Sequence, residues 1–259
     1  MIKDYYPQLE EEVIETPVYQ RFIGIGMDRE IPDFTTVWHF KEKLMAHDLM
    51  DKLFDIVYNL LDNKGLILKR GTIVDATIIT SVHKPLKKEK RSELEQTPNS
   101  QMDTDAHSVK KGSKWYFGYR GHIGVDWGSK LIRKRSFTPA NESERGEFEQ
   151  LISGDERCIF GDKGYPLTEL KQACRAKGIY YGILDKAVKG SKLSKRQEKR
   201  NKQKSRVRSG VEHVFAQLKC GMNYVKARAN TLIRNRLRFD FNCIVYNVLR
   251  GLYLLKVAK

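Results

Sequence analysis

Hydrophobic residues alternate with polar ones at helical spacing over residues 37–61. The repeat of three and four residues predicts one helix with a buried face, carried by Leu49, Leu53, Ile56, Val57, Leu60 and Leu61. Gly65 follows the last apolar position, as is typical of a helix C-terminus. The pattern then changes, because residues 72–79 are rich in β-branched side chains and predict a buried strand.

The rest of the chain continues as alternating strands and helices. Two β-rich runs around a turn at residues 126–129 predict a hairpin, and the later segments predict, in order, a helix at 141–152, a strand at 157–160, a helix at 167–177, a strand at 179–184, an amphipathic helix at 206–222 and a helix at 233–255. The last helix is expected to bury Phe239, Phe241, Ile244, Val245, Val248 and Leu249.

Two stretches lack a regular hydrophobic pattern. Residues 82–113 are polar and contain Pro85 and Pro98, which predicts a long excursion without regular structure. Residues 186–205 are read as a basic linker. The element order predicts an α/β fold, with a mixed sheet flanked by helices and an N-terminal helical lobe. We expect the helical region to span residues 1–70 and the α/β domain to span residues 71–255.

Composition narrows the class of protein. The 259 residues are 40% hydrophobic, which excludes a disordered chain. The sequence has no apolar run of membrane-spanning length and no signal peptide, so we expect a cytoplasmic protein that does not enter a membrane. The four cysteines form no C-x-x-C pair, which disfavours a zinc cluster and fits reduced thiols.

The net charge of +16 is concentrated in one part of the chain. Residues 186–238 hold seventeen basic residues and two acidic residues. Side chains of like charge at this density repel one another unless an anion neutralises them, so this stretch favours nucleic acid as a partner. A solvated basic surface that keeps the protein soluble is the alternative interpretation.

Two aspartates lie at positions where an acidic side chain calls for an explanation. Asp75 interrupts the apolar strand 72–79, and an unpaired charge there is costly to bury unless it is hydrogen-bonded, paired or bound to a metal. Asp162 directly follows the strand at 157–160 and has glycines nearby on both sides, which allow close approach of another backbone or a substrate. Each aspartate taken alone also fits a structural role, as a buried paired acid or as an Asp-Gly turn.

A third acid lies on the amphipathic helix at 206–222. At 100° per residue, Arg208, Glu212 and Lys219 fall within about 40° of one another, on a stripe beside the apolar face. An exposed ion pair between Arg208 and Glu212, worth about 0.3 kcal/mol, is the alternative explanation of that spacing.

The spacing Arg208-x3-Glu212-x6-Lys219 resembles the C-terminal signature of the IS-five-like group of DDE transposases from bacterial insertion sequences. The resemblance extends over nearly the whole chain. It includes the stretches at residues 31–36, 71–79, 117–126 and 211–215, which read IPDFTT, GTIVDATII, FGYRGHIGVD and VEHVF.

The resemblance implies an RNase H-like fold in which Asp75, Asp162 and Glu212 are the catalytic acids and hold Mg²⁺ or Mn²⁺, as two ions. It implies cleavage at the ends of an insertion sequence and strand transfer into target DNA, in a bacterial cytoplasm at the nucleoid. Double-stranded DNA is then the partner, with a homo-oligomer expected on it by analogy. We expect Arg208 and Lys219 to contact DNA phosphates.

The sequence departs from the family pattern in two places. Ser205 stands where the family often has Tyr, three residues before the signature arginine. The sequence also starts near the point where the family's N-terminal helical stretch would finish, so we expect a copy that lacks part of that stretch. Three alternatives therefore remain: a metal-dependent nuclease without strand transfer, an inactive DNA-binding remnant and a structural RNA-binding protein, of which the last does not explain the three acids.

The predicted hairpin contains further chemistry-bearing residues. His122 and Asp126 share a face of one strand and form a conceivable metal pair, but a structural role is favoured because a hard metal prefers oxygen ligands. Trp115 and Tyr116 suit base stacking, yet aromatic residues in a hairpin more often fill a core, and neither is assigned to a site.

Overall fold

The chain folds around one mixed sheet. The computed structural model describes residues 6–25, 31–87, 89, 91–92, 102–165, 168–187 and 190–257. The seven strands of the sheet are β1 (Thr72–Ser81), β2 (His107–Lys111), β3 (Lys114–Asp126), β4 (Ile132–Pro139), β5 (Cys158–Gly161), β6 (Tyr180–Ile183) and β7 (Lys226–Ala227). The described helices are α1 (Tyr6–Glu15), α2 (Pro17–Phe22), α3 (Phe34–Ala46), α4 (Leu49–Asn63), α5 (Glu144–Phe148), α6 (Thr168–Ala176), α7 (Lys195–Ala216) and α8 (Leu232–Val257).

The sheet joins an antiparallel half to a parallel half at β1. On one side β1 pairs antiparallel with β3, whose outer edge carries β4 along one part and β2 along the other. On the other side β5 runs parallel to β1, and β6 runs parallel to β5. The two residues of β7 pair with the end of β1. This mixed sheet flanked by helices confirms the RNase H-like fold class.

Helices cover both faces of the sheet. The larger core lies on the face packed by α7 and α8 and includes Ile73, Ile79 and Ile123 from the strands with Val211, Val214 and Phe239 from the helices. The smaller core lies on the opposite face and consists of Val74, Phe148, Leu151, Ile159, Tyr165, Cys174 and Ile183. The alternation of neighbouring residues Ile73 and Val74 between the two cores is the two-residue period of a strand buried on both faces.

The predicted single helix over residues 37–61 is wrong, because the structure divides it into α3 and α4. Asp48 has a φ of 47°, in the left-handed region that aspartate tolerates better than most residues. Leu44, Met50 and Phe54 belong to the larger core, and α3 and α4 both contact α8. The break lets two short helices each turn an apolar face toward that core.

The hairpin, the strand around Asp75 and the helix end before Gly65 are confirmed. β3 and β4 form the hairpin, β1 contains Asp75, and α4 ends at Asn63. The region predicted as a helix at 141–152 is helical only over α5 and the 3₁₀ turn Glu149–Leu151. The strands at 157–160 and 179–184 and the helix at 167–177 are present as β5, β6 and α6.

The predicted excursion over residues 82–113 is wrong in part. Residues 107–111 form β2, which pairs with the first residues of β3. Gly118 lets β3 lie close against the end of β1, since a Cβ at that position would lie 2.3 Å from the backbone oxygen of Ile79. Part of the predicted excursion, including residues 93–101, lies outside the described residues.

The basic linker predicted at residues 186–205 is wrong from residue 195 onward. Those residues are the first half of α7, and the helix begins with a capping box in which Ser194 and Gln197 exchange hydrogen bonds. The Ser-x-x-Gln spacing is a sequence signal for a helix start that the high density of lysine and arginine obscured. Part of that charge is neutralised internally, because Lys204 and Arg200 both pair with Asp185.

The burial predicted for the last helix is wrong at three positions. Val245, Val248 and Leu249 are 46%, 41% and 57% exposed, whereas Phe239 and Ile244 are buried. Asn247 decides which face of α8 turns inward, since its amide both accepts from and donates to the backbone of Ile132 in β4, at 2.8 Å each. Within the described part of the chain, no helix is both long enough and apolar enough to span a membrane.

Candidate active site

Asp75 lies in the middle of β1 with its side chain only 13% exposed. Its Oδ1 accepts a hydrogen bond from the backbone N–H of Ala76 at 2.9 Å, and its Oδ2 accepts one from Nη2 of Arg208 at 3.0 Å. Burial raises the pKa of the Asp75 carboxyl above its ordinary value, although the Arg208 guanidinium acts in the opposite direction. The position therefore favours a bound positive charge beside this carboxylate.

Asp162 comes beside Asp75 because of the strand register. Thr72 pairs with Ile159 and Ile73 with Phe160 in the parallel strands β1 and β5. Continuing that register by two residues aligns Asp75 with Asp162, on strands that lie about 4.8 Å apart in any sheet. Asp162 Oδ1 accepts from the backbone N–H of Lys163 at 2.8 Å, and the Asp162 side chain is 37% exposed.

Arg208 connects the two aspartates from the facing helix. Its Nη2 lies 3.0 Å from Asp75 Oδ2, and its Nη1 lies 3.8 Å from Asp162 Oδ1. Two residues further along α7 lies Gly210, where a Cβ would make an ordinary van der Waals contact with Cδ1 of Ile73, at 3.5 Å. Burial acts to lower the pKa of Arg208, but Asp75, Asp162 and Glu212 together raise it above its ordinary value.

Glu212 lies one helical turn beyond Arg208 and is exposed to solvent. Arg208 contacts the two aspartates, so the simple ion pair with Glu212 that the helix spacing also allowed is not how Arg208 is engaged. In the part of the chain that the structure describes, no three acidic, histidine or cysteine side chains are grouped closely enough to hold a metal ion. Two of the predicted acids therefore meet, and the third lies nearby on the helix.

Lys219 lies past the end of α7, in a π-helical turn formed by Gln217–Gly221. Its Nζ donates to the backbone oxygen of Ile78 in β1 at 3.0 Å. Burial lowers the pKa of Lys219, and the nearby Lys111 lowers it further. Single π-helical turns are frequent at functional sites, and this one, which follows α7, directs a basic side chain onto the strand that carries Asp75.

Tyr165 lies near Asp75, and the sequence analysis did not include it among the candidate site residues. It is fully buried, and its ring centroid lies 4.7 Å from that of Phe148 in the smaller core. Burial raises the pKa of its hydroxyl, and the charges of Glu144 and Asp75 raise it further. Its position three residues after Asp162 was the signal available in the sequence.

His122 and Asp126 have separate structural roles. The Nε2 of His122 lies 2.9 Å from Oγ1 of Thr138, within the sheet. Asp126 builds the hairpin turn, where its carboxylate accepts hydrogen bonds from the backbone of Lys69 and from both the backbone and the hydroxyl of Ser129. The contacts of each residue agree with the structural role that the sequence favoured.

We expect His122 to make the protein less stable in mild acid. Burial, with a contribution from Arg120, lowers the pKa of His122 to about 3 from an ordinary value of about 6.5. The unfolded chain therefore binds a proton that the folded chain excludes. The stabilisation from the neutral imidazole is complete above pH 6.5 and is lost as the pH falls toward 3, at a cost of about 2 kcal/mol by pH 5.

Urea unfolding between pH 7 and pH 5 measures this effect. His122→Gln should show a shallower loss of unfolding free energy than the wild type over that range. His47→Gln, which replaces an exposed histidine after α3, controls for the loss of an imidazole as such. An equal slope in wild type and His122→Gln would contradict the assignment.

Two family models match this chain, and together they cover most of it. The model described as "Transposase DDE domain" matches residues 67–248, a range that contains Asp75, Asp162, Arg208, Glu212 and Lys219. The model described as "Transposase domain (DUF772)" matches residues 4–43. A comparison with solved structures found no match.

Proposed function

We propose that this chain, which belongs to the transposase DDE domain family, cleaves the ends of an insertion sequence and joins them to target DNA by metal-dependent phosphoryl transfer. The observation that carries the proposal is that the parallel register of β1 and β5 brings Asp162, just past the end of β5, beside Asp75 and under the guanidinium of Arg208. Family membership makes DNA the substrate. The cutting and joining steps, and the residues that perform them, are our proposal.

The chemistry of the donor atoms fits a divalent ion. Asp75 and Asp162 offer carboxylate oxygens, the ligands that Mg²⁺ and Mn²⁺ prefer, at a position where burial opposes an uncompensated negative charge. We assign Glu212 as the third oxygen donor because it lies on α7 one turn from the arginine that already joins the pair. When bound, such ions activate an attacking oxygen and stabilise the leaving oxygen of the phosphodiester.

Two basic residues, Arg208 and Lys219, lie close to the strand that carries Asp75. Arg208 reaches both aspartates with one guanidinium, so it is placed to orient a phosphate as well as the carboxylates. Lys219 is fixed on the Ile78 carbonyl, which holds its charge close to β1. We propose that both stabilise negative charge on the phosphate that is cut.

The outer face of α7 supports DNA as the partner. Lys195, Lys199, Lys202 and Arg206 are exposed and, at 100° per residue, fall within about 60° of one another. Lys204 and Arg208 point to the other side of the helix, where acidic residues neutralise them. The outer stripe is thus positive charge that internal ion pairs leave available to a phosphate backbone.

A joining assay with a labelled duplex tests the proposal. The duplex should carry the terminal repeats that flank this chain's own gene, with Mg²⁺ or Mn²⁺ added, and Asp162→Ala should be compared with the wild type. We expect cleavage and joining by the wild type and neither by Asp162→Ala. Asp55→Ala, which removes an exposed aspartate from α4, is the matched control and should behave as the wild type.

The other functions give different results in the same assay. Cleavage without joining would indicate a nuclease. Tight binding that weakens steeply with salt, without cleavage, would indicate a DNA-binding remnant, since phosphate contacts lose affinity as salt rises. Joining that persists in Asp162→Ala would exclude the proposed site.

A further inference from the structure

We propose that the tip of the β2–β3 hairpin, residues 110–115, is a DNA contact in which Trp115 stacks on an unpaired base while the neighbouring lysines bind the adjacent phosphates. The inference rests on the proposed function for the identity of the ligand. It concerns a surface distinct from the carboxylates, and it assigns a role to an aromatic residue that the sequence pattern placed in a core.

The exposure of Trp115 overturns its expected place in a core. Its side chain is 69% exposed, although an indole normally contributes a large buried area. Trp127, directly after the other end of β3, is less exposed, at 42%, and its ring packs edge-on against Phe160 with centroids 5.5 Å apart. The hairpin therefore presents one large flat ring to solvent.

Positive charge surrounds this ring. Lys110, Lys111 and Lys114 are all exposed, and the sequence from residue 106 to residue 118 contains no acidic residue. Lys110 Nζ lies 6.0 Å from the centroid of the Trp115 ring. A flat aromatic face among lysines matches a base flanked by phosphates, because stacking uses the face of the base and the ammonium groups bind the backbone.

The base of the hairpin is held firmly while its tip projects. Asp103 is buried and accepts hydrogen bonds from the hydroxyl of Tyr119 and the backbone of Ala106. Asp105 accepts from the backbone N–H of Leu232 at 2.7 Å, which ties the approach to β2 to the start of α8. A binding residue on a fixed support loses less entropy on binding than one on a loose loop.

The tip lies at the far end of β3, the strand that pairs with β1 beside Asp75. Asp75 pairs with Ile123 in β3, and Trp115 lies eight residues before Ile123 on the same strand. At about 3.4 Å per residue, the Cα atom of Trp115 lies up to about 27 Å from that of Ile123, the residue beside Asp75. Lys111 is near enough to lower the pKa of Lys219, which itself contacts β1. One DNA molecule of about eight base pairs spans that separation.

Binding measurements in EDTA test the tip without catalysis. The probes are a fluorescein-labelled thymidine oligonucleotide of about 20 nucleotides, longer than the ~4 to 16 that a single-strand site covers, and a blunt duplex of equal length. Trp115→Ala should lower affinity for the single strand roughly tenfold and lower affinity for the duplex much less. Trp115→Phe should keep most of the single-strand affinity, because phenylalanine also stacks.

Tryptophan fluorescence gives a second readout. DNA should quench the wild-type signal, and Trp115→Phe should lose that quenching while it still binds. Tyr253→Ala is the matched control: Tyr253 is 55% exposed and lies 5.0 Å from the Arg250 guanidinium, so it resembles Trp115 in exposure and in its cationic neighbour. This control should bind both probes as the wild type does.

Three results would overturn the inference. They are unchanged single-strand affinity in Trp115→Ala, an equal loss in Tyr253→Ala, and an equal loss for duplex and single strand, which would exclude an unpaired base as the ligand. Each of these leaves the joining assay to decide the proposed function, since Asp162 and divalent metal are not needed for binding in EDTA. Both proposals would be supported independently if Asp162→Ala lost joining and Trp115→Ala lost affinity for the single strand but much less for the duplex.

Discussion

Glu212→Ala is expected to reduce metal-dependent cleavage by about a thousandfold while DNA binding stays within a few fold of the wild type. The expected loss corresponds to the several kcal/mol that metal-ion stabilisation of the developing charge contributes to phosphoryl transfer. Binding should persist because Glu212 is itself negative, and the exposed basic stripe of α7 is unchanged by the substitution.

Single-turnover cleavage and equilibrium binding should be measured on the same labelled duplex. Glu198→Ala is the matched control, since it removes an exposed glutamate from the first turn of the same helix. If the Glu198 variant lost as much cleavage as the Glu212 variant, the effect would be one of net charge on α7. Cleavage at the wild-type rate in Glu212→Ala would remove Glu212 from the site and leave Asp75 and Asp162 as its acids.

Asp240→Ala should lower the free energy of unfolding by about 3 to 5 kcal/mol. Asp240 is 2% exposed, and its Oδ1 accepts from Nε of Arg135 in β4 at 2.7 Å. Arg135 is itself 6% exposed at its side chain, and its guanidinium lies 4.0 Å from the ring centroid of Phe54. Removing the carboxylate leaves a buried cation between α4, β4 and α8 without its closest partner.

Asp51 offers a control on the same arginine. Its Oδ1 lies 2.9 Å from Nη2 of Arg135, but its side chain is 52% exposed. Asp51→Ala should therefore cost less than about 1 kcal/mol, because solvent already screens that pair. Denaturant unfolding of both variants measures the difference, and similar losses would show that burial does not govern the strength of these ion pairs.

Burial also explains why the Asp240 pair is costly to break without being a large net source of stability. It raises the pKa of Asp240 above its ordinary value even though Arg135 and Arg236 act to lower it. The charged carboxylate thus carries a desolvation cost that its partners offset incompletely. The pair joins β4 to α8, and Arg135 also contacts Phe54 of α4, so we expect loss of either partner to be strongly destabilising.

Much of the fold followed from local pattern. β-Branched residues around Asp75 predicted β1, the turn at Asp126 predicted the hairpin, and Gly65 predicted the end of α4. The errors arose where two local signals competed. At Ser194 the capping box was outweighed by the density of charge, and at Asp48 a continuous apolar period concealed a left-handed residue.

The candidate acids were also identified from local sequence features. A carboxylate in an apolar strand is costly, so Asp75 drew attention as a single residue, and the spacing from Arg208 to Lys219 placed Glu212 on one stripe of a helix. Asp162 was distinguished by its position after a strand and by the glycines beside it. The functional assignment of all three remains a prediction that the joining and cleavage assays decide.

The sequence by itself determined the α/β class, the order of the main strands and helices, and the residue types available for chemistry, because these depend on periods of two and 3.6 residues and on local turn signals. Only the tertiary structure decided which residues meet. The parallel register of β1 and β5 brings Asp162 beside Asp75, the packing of α7 directs Arg208 onto both, and Asn247 turns Val248 and Leu249 outward. Those outcomes depend on contacts between residues far apart in the chain, which no local pattern encodes.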